Sequence, residues 1–237
     1  MSKEVFLVPT SFAQQRLWFL DLLEPGSPAF NIPAALRLSG RLDVDVLRRS
    51  LEEVARRHEA LRTRFVTVDD EPVQVIEPSA AVELPLIDLS RLDADARGER
   101  VRELADEAAR LGFDLAQGPL WRASVVRLGE EEHVLLYTMH HIISDGWSMG
   151  VLVREMGLLY DAYSRGVAPS LPELPIQYAD YALWQRERLE GGELERQLAY
   201  WEERLAGVPE ALELPTDRPR RAGGRHRGSS VAFRLTP

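Results

Sequence analysis

The sequence predicts an α+β (mixed α/β) fold, and three observations predict it. Short runs alternate apolar and polar residues with the period of a strand. Longer stretches repeat apolar residues at helical spacing. The two kinds of segment interleave irregularly, with hairpins, which points to a mixed sheet flanked by helices rather than a doubly wound parallel sheet.

The elements follow in order. Ser11 has the chemistry of an N-cap, and the helix after it runs to Leu22 or Leu23 and stops at Pro25-Gly26. Residues 31–38 read as a strand. Asp43 caps a second helix, whose Leu47, Leu51, Val54 and Ala55 form one apolar face, continued by His58. Residues 61–68 and 72–76 alternate as a hairpin around Asp69-Asp70-Glu71, and a charged helix covers 94–111. Residues 120–128 and 133–139 make the clearest hairpin, joined by Gly129-Glu130-Glu131-Glu132, with His133 beside the exposed turn. Next comes a helix with Met149, Leu152, Val153, Met156, Tyr160 and Tyr163 on one face. A proline-rich connector over 166–175 leads to two further helices, near 178–189 and 194–205. Beyond Val208 the chain reads as a linker until 229–235, which alternates like a strand. That strand has no partner in sight: it opens a further unit or is donated to a distant sheet edge.

Composition excludes several classes of function. The 237 residues include no cysteine, which removes disulfides, thiolate metal sites and a cysteine nucleophile, and fits a cytoplasmic protein. The opening apolar stretch is too short for a secretory signal, and no apolar run approaches membrane-spanning length, so no membrane partner is expected. A formal net charge of -9 disfavours nucleic acid. Arg218, Arg220, Arg221, Arg225 and Arg227 cluster among glycines and a proline without interleaved aromatics, the pattern of an exposed linker.

The chemistry gathers in Met139-His140-His141-Ile142-Ile143-Ser144-Asp145-Gly146-Trp147-Ser148, where a strand ends and a helix begins. Side chains alternate along a strand, so Val134, Leu136, Thr138 and His140 share one face and Leu135, Tyr137, Met139 and His141 the other. One histidine can then face a cleft while its neighbour braces the corner. Asp145 stands where a helix N-terminus favours a carboxylate. Opposite-facing histidines cannot chelate one ion, so no metal site is expected. Gly146-Trp147-Ser148-Met149-Gly150 also fits G-x-S-x-G, the nucleophile elbow of serine hydrolases. Only His226 follows it, inside the arginine-rich linker, and no glycine-rich oxyanion loop precedes it.

His140-His141-Ile142-Ile143-Ser144-Asp145-Gly146 resembles the HHxxxDG signature of nonribosomal peptide synthetase condensation domains, within the chloramphenicol-acetyltransferase-like superfamily. Three further segments resemble the family in order: Ser11 to Leu20 (SFAQQRLWFL), Arg57 to Phe65 (RHEALRTRF) and Tyr178 to Trp184 (YADYALW). The resemblance implies a two-lobed acyltransferase with a tunnel between the lobes, served by donor and acceptor carrier domains bearing phosphopantetheine arms. The acceptor amine attacks the donor thioester to form a peptide bond. His141 is then the catalytic candidate, as general base or as the group that positions the amine. His140, Asp145 and Gly146 complete the motif, Gly146 letting backbone pass close to substrate. Arg62 is implied to pair with Asp145 and, with Trp147 and Ser148, to support the site. No cofactor is expected to bind the chain directly.

The resemblance divides the chain into a first lobe over 1–168, a connector with helices over 169–207, and a linker with a first strand over 208–237. The expected partners are the carrier domains, a C-terminal lobe and neighbouring synthetase domains. The family's later F-V-N-T-like motif does not occur, so the polypeptide alone is expected to be folded or nearly so, but not to condense. Wording around the histidines resembles domains that accept an L-configured donor. The alternatives are a non-catalytic carrier-docking fragment, an epimerization-type domain, or a serine esterase using Ser148.

Overall fold

The structure is a computed structural model describing residues 6–189, 192–209, 215 and 233–234. The chain divides into two units, residues 1–191 and 192–237, taken separately below. The arginine-rich segment and His226 lie outside the described residues, as does the expected strand over 229–235 apart from Phe233 and Arg234.

In the first unit, β1 (Phe6–Pro9) leads into α1 (Phe12–Leu23). Ser11 caps α1 as expected: its hydroxyl accepts from the Gln14 amide, and the Gln14 side chain accepts from the Ser11 amide. β2 (Asn31–Ser39) precedes α2 (Val44–Arg57), whose cap Asp43 accepts from the amides of Asp45 and Val46. β3 (Thr63–Val68) and β4 (Glu71–Ile76) form the expected hairpin. Its two-residue loop holds Asp69 and Asp70 at φ 49° and 65°, and aspartate tolerates that left-handed backbone better than most residues. β5 (Leu86–Asp88), α3 (Ala94–Arg110), β6 (Trp121–Arg127) and β7 (Glu132–His140) follow. They lead to α4 (Gly146–Ser164) and α5 (Tyr178–Leu189).

The fold is mixed α/β as expected, with its strands divided between two sheets. One is antiparallel, in the order β1-β4-β3; the other is mixed, β2-β7-β6-β5, with β5 running parallel to β6. β7 is central, paired from Asn31↔His140 to Ser39↔Glu132 on one side and from Trp121↔Met139 to Arg127↔His133 on the other. Its alternation is the predicted one. Leu135, Tyr137 and Met139 enter the main core with Leu51 and Val54 of α2 and Leu152, Met156 and Leu159 of α4. Val134 and Leu136 face a smaller cluster with Val101 and Leu104 of α3.

Some expectations yield to packing. On α4 the buried stripe is Leu152, Glu155, Met156, Leu159 and Ala162, and Val153, one step round the helix, is exposed. His133 lies inside: flanked by β2 and β6, it is 2% exposed, and burial pushes its pKa down. His58 does not continue the apolar face of α2. It terminates that helix, with Nε2 2.9 Å from Glu155 Oε2.

The segment before β6 packs tightly on the turn after α1. A Cβ on Gly112 would fall 1.9 Å from the Gly26 carbonyl oxygen, so only glycine fits there. The second unit contains α6 (Glu193–Leu205), started by Gly192 at φ 95° and carrying an Arg196–Glu193 ion pair.

Candidate active site

β7 ends at His140, and its register decides what each histidine does. The His140 amide donates to the Leu120 carbonyl at 2.9 Å, extending the ladder to its last residue. The ring turns inward, the residue 2% exposed, with Phe30 and Phe113 edge-on at centroid distances of 6.3 and 6.2 Å. Its Nδ1 accepts the Ile142 amide proton at 3.1 Å. Burial first, and the charge of His141 second, push its pKa down to about 4. His140 is therefore a neutral brace at physiological pH.

His141 is the first residue past the strand. Its amide donates to the Phe30 carbonyl at 2.8 Å, while its side chain is exposed. Ile142 and Ile143 then plunge back into the core, and the Ile143 amide closes on the His140 carbonyl at 3.1 Å. The backbone on both sides of His141 is thus tied down while its imidazole stays free of the interior.

Asp145 caps α4 from an extended conformation. Its Oδ1 accepts from the Ser148 amide at 2.8 Å and from the Ser148 hydroxyl at 2.6 Å. The Ser148 hydroxyl, then its amide and the nearby charge of His141, hold this carboxyl below the usual carboxylate range. Gly146 opens α4, and a Cβ there would meet nothing within 4 Å, so no neighbour in this chain demands glycine. Trp147 is 84% exposed beside it.

The sequence did not reveal the support beneath the corner. The buried Gln14 side chain donates to Gln74 Oε1 at 3.0 Å and reaches the Ile142 carbonyl at 3.5 Å. Gln74 in turn donates to the Pro9 carbonyl at 2.8 Å. Tyr178 of α5 closes the group, its hydroxyl 3.0 Å from the Ser11 hydroxyl. A polar residue on the inner side of a capping helix is the only signal that could have found Gln14.

The expected Asp145–Arg62 ion pair is absent among the described residues. Arg62 instead pairs with Glu59 Oε1 at 3.0 Å and donates to the Glu77 carbonyl, because it leaves a short 3₁₀ turn, Glu59–Arg62, pointing at the end of β4. Asp145 spends its carboxylate on its own helix. Ser148 donates to that carboxylate rather than to a histidine, which is the wrong partner for an activated serine. Among the described residues no group of histidine and acidic side chains could hold a metal.

Residues 6–237 match the family described as condensation domain. The chain belongs to the condensation-domain family. It is 52% identical over 224 residues to one of the linear gramicidin synthase proteins of Brevibacillus parabrevis, covering 94% of this chain but 3% of that protein. Among solved structures it resembles the X-domain in the complex of that domain with OxyB from teicoplanin biosynthesis. That match has 35% identity and a TM-score of 0.78, and covers 93% of this chain and 48% of that one. The starter condensation domain of rhizomide synthetase RzmA shares the fold at 22% identity and a TM-score of 0.77, over 86% of this chain and 49% of that one.

In this member of the condensation-domain family a second brace holds α4 farther along its length. Glu155 of α4 takes Arg57 at 3.1 Å and His58 at 2.9 Å, both from the end of α2. Its carboxyl is held below the usual range: burial alone would raise it, and the hydrogen bonds from Arg57 and His58 together outweigh that. The pair fixes the helix that Asp145 starts, and the Arg57-to-Phe65 segment thereby acts on α4 through Glu155. Among the described residues, no helix is long and apolar enough to cross a membrane.

Proposed function

We propose that this chain supplies the His141-bearing part of a peptide-bond-forming condensation site. One observation carries the reading: His141 alone of the histidine pair is exposed, between two residues, His140 and Ile142, that are buried and hydrogen-bonded to each other. A ring so held presents a proton acceptor to solvent without backbone freedom.

The substrates are an acyl group held as a thioester on one carrier's phosphopantetheine arm and an amine held on another's. The amine nitrogen attacks the thioester carbonyl, the N–C bond forms, and the C–S bond breaks. The nitrogen gives up a proton, and the departing thiolate takes one to become the thiol. His141 serves as base for that proton or orients the amine toward the carbonyl, while Asp145 and the buried His140 keep its corner in place. Gly146 and Trp147 border the open side where an arm would pass.

The chain corresponds to 48–49% of two of the solved structures it resembles, and the 237-residue polypeptide by itself is inferred to be inactive. Single-turnover mixing of donor-loaded and acceptor-loaded carriers tests both statements. Dipeptidyl carrier is expected with the polypeptide embedded in a complete condensation domain, and none with the 237 residues alone. No product in the embedded case would overturn the reading, and product from the isolated polypeptide would overturn the inferred inactivity.

A second reading is favoured by one observation. The X-domain relative, 35% identical, is in a complex with another protein, OxyB. A docking role without chemistry would keep the same corner. It predicts carrier binding that survives His141→Ala together with no condensation in any context.

A further inference from the structure

The β2-β7-β6-β5 sheet is packed more fully on one face than on the other. Against α2 and α4 it buries the large core, whereas none of the 17 residues of α3 is buried against the other face. Val101 and Leu104 of α3 meet the strands in a small cluster, and a cavity of about 740 Å³ opens farther along the helix, at Ala108. That volume lies within the range of small-molecule sites, about 300–1,000 Å³. A smaller space of about 240 Å³ adjoins it, sharing Ala108, Leu136 and Thr138. None of residues 140–148 lines either space, so they are distinct from the His141 corner.

The lining is apolar over Leu136 and the α3 alanine, and it includes guanidinium groups. Arg62 and Arg122, from different elements, both line the cavity, and the Nε of each is buried without a hydrogen-bond partner. The carboxylates at the same wall are otherwise engaged or exposed. Glu77 pairs with Arg64, Asp114 accepts from the Ala116 amide, and Glu83 is exposed. Arg62 has Glu59, but Arg122 pairs with no carboxylate among the described residues. It is held over the Phe113 ring at 3.8 Å and donates only to the Leu111 and Gly112 carbonyls. A half-buried guanidinium with an orphaned N–H is an unfinished anion site, and its planar fork matches a carboxylate.

We propose that the cavity beside α3 binds an amphipathic monocarboxylate, its carboxylate on Arg122, with Arg62 lining the same cavity, and its apolar body against Leu136 and Ala108. A single uncompensated cation beside an apolar lining selects one negative charge on a hydrocarbon body; a phosphate dianion would need a second free cation. The site needs no condensation chemistry and stands independently of the role given to His141.

The test uses the 237-residue chain and three probes at submicellar concentration: decanoate, decan-1-ol and decylammonium, titrated by calorimetry. Decanoate is expected to bind saturably at one site per chain, with decanol weaker by at least about tenfold and decylammonium not binding; tenfold corresponds to about 1.4 kcal/mol. Arg122→Met should remove the preference for decanoate over decanol. Ala108→Phe puts a ring into the wall that both spaces share without removing a charged group, and should abolish decanoate binding with the circular dichroism spectrum unchanged. This variant decides the matter if Arg122→Met fails to fold. Equal binding of decanoate and decanol, decanoate uptake without saturation, no uptake by the folded chain, or undiminished binding by Ala108→Phe would each overturn the proposal.

Discussion

The amide of Ile142 donates to Nδ1 of His140 across 3.1 Å, inside the core, so the ring is fixed as the tautomer that carries its proton on Nε2. Protonation would turn that acceptor into a donor facing a donor. The neutral form is therefore favoured in the folded state, in keeping with a pKa lowered from 6.5 to about 4.

That shift fixes a pH dependence. Because the folded pKa lies below the unfolded one, the unfolded chain binds the proton more readily between pH 6.5 and 4. Stability contributed by neutral His140 is fully present above pH 6.5 and is lost as pH falls toward 4. The loss is on the order of 3 kcal/mol over that window. Urea unfolding of the chain at pH 7 and pH 5 should show the decline. His140→Asn, which keeps an acceptor but cannot titrate, should flatten it.

Asp145 and Arg62 are expected to act independently. Removing the cap with Asp145→Ala should cost about 1 kcal/mol through α4. Since no ion pair joins it to Arg62 among the described residues, a double-mutant cycle with Arg62→Ala should give additive losses within about 0.5 kcal/mol. A coupling well above that would restore the pairing that the family resemblance implied.

Much of this architecture was legible in the chain. Ser11, Asp43 and Asp145 announced helices because a side-chain oxygen before an apolar-periodic run has one obvious use. The opposite facing of His140 and His141 followed from strand alternation alone. What stayed hidden depends on contacts between distant segments. β1 and β5 are only four and three residues long, and each exists because a neighbouring strand offers it a ladder. The burial of His133 comes from strands on both sides, which a local pattern does not report. Likewise Glu155 and Gln14 are polar residues on buried helix faces, and their partners, 98 and 128 positions away, are visible only in three dimensions.

Glu155 offers a direct test of the inner brace. Its side chain is 8% exposed and that of Arg57 9%. Breaking a buried pair leaves an uncompensated charge, which costs about 3–5 kcal/mol. Glu155→Gln should therefore unfold at markedly lower urea concentration than the parent chain. Glu53→Gln, which loses only a solvent-exposed partner in Arg56, should change stability by less than about 1 kcal/mol.

The decisive measurement is the condensation rate of a complete domain carrying His141→Ala, assayed with preloaded donor and acceptor carriers. The expected rate is lower by about 10²–10⁴, the range typical of a lost proton-handling group. Melting temperature and carrier affinity should be unchanged, because the ring lies outside the core. A variant that condenses at the parental rate would contradict the role assigned to this histidine.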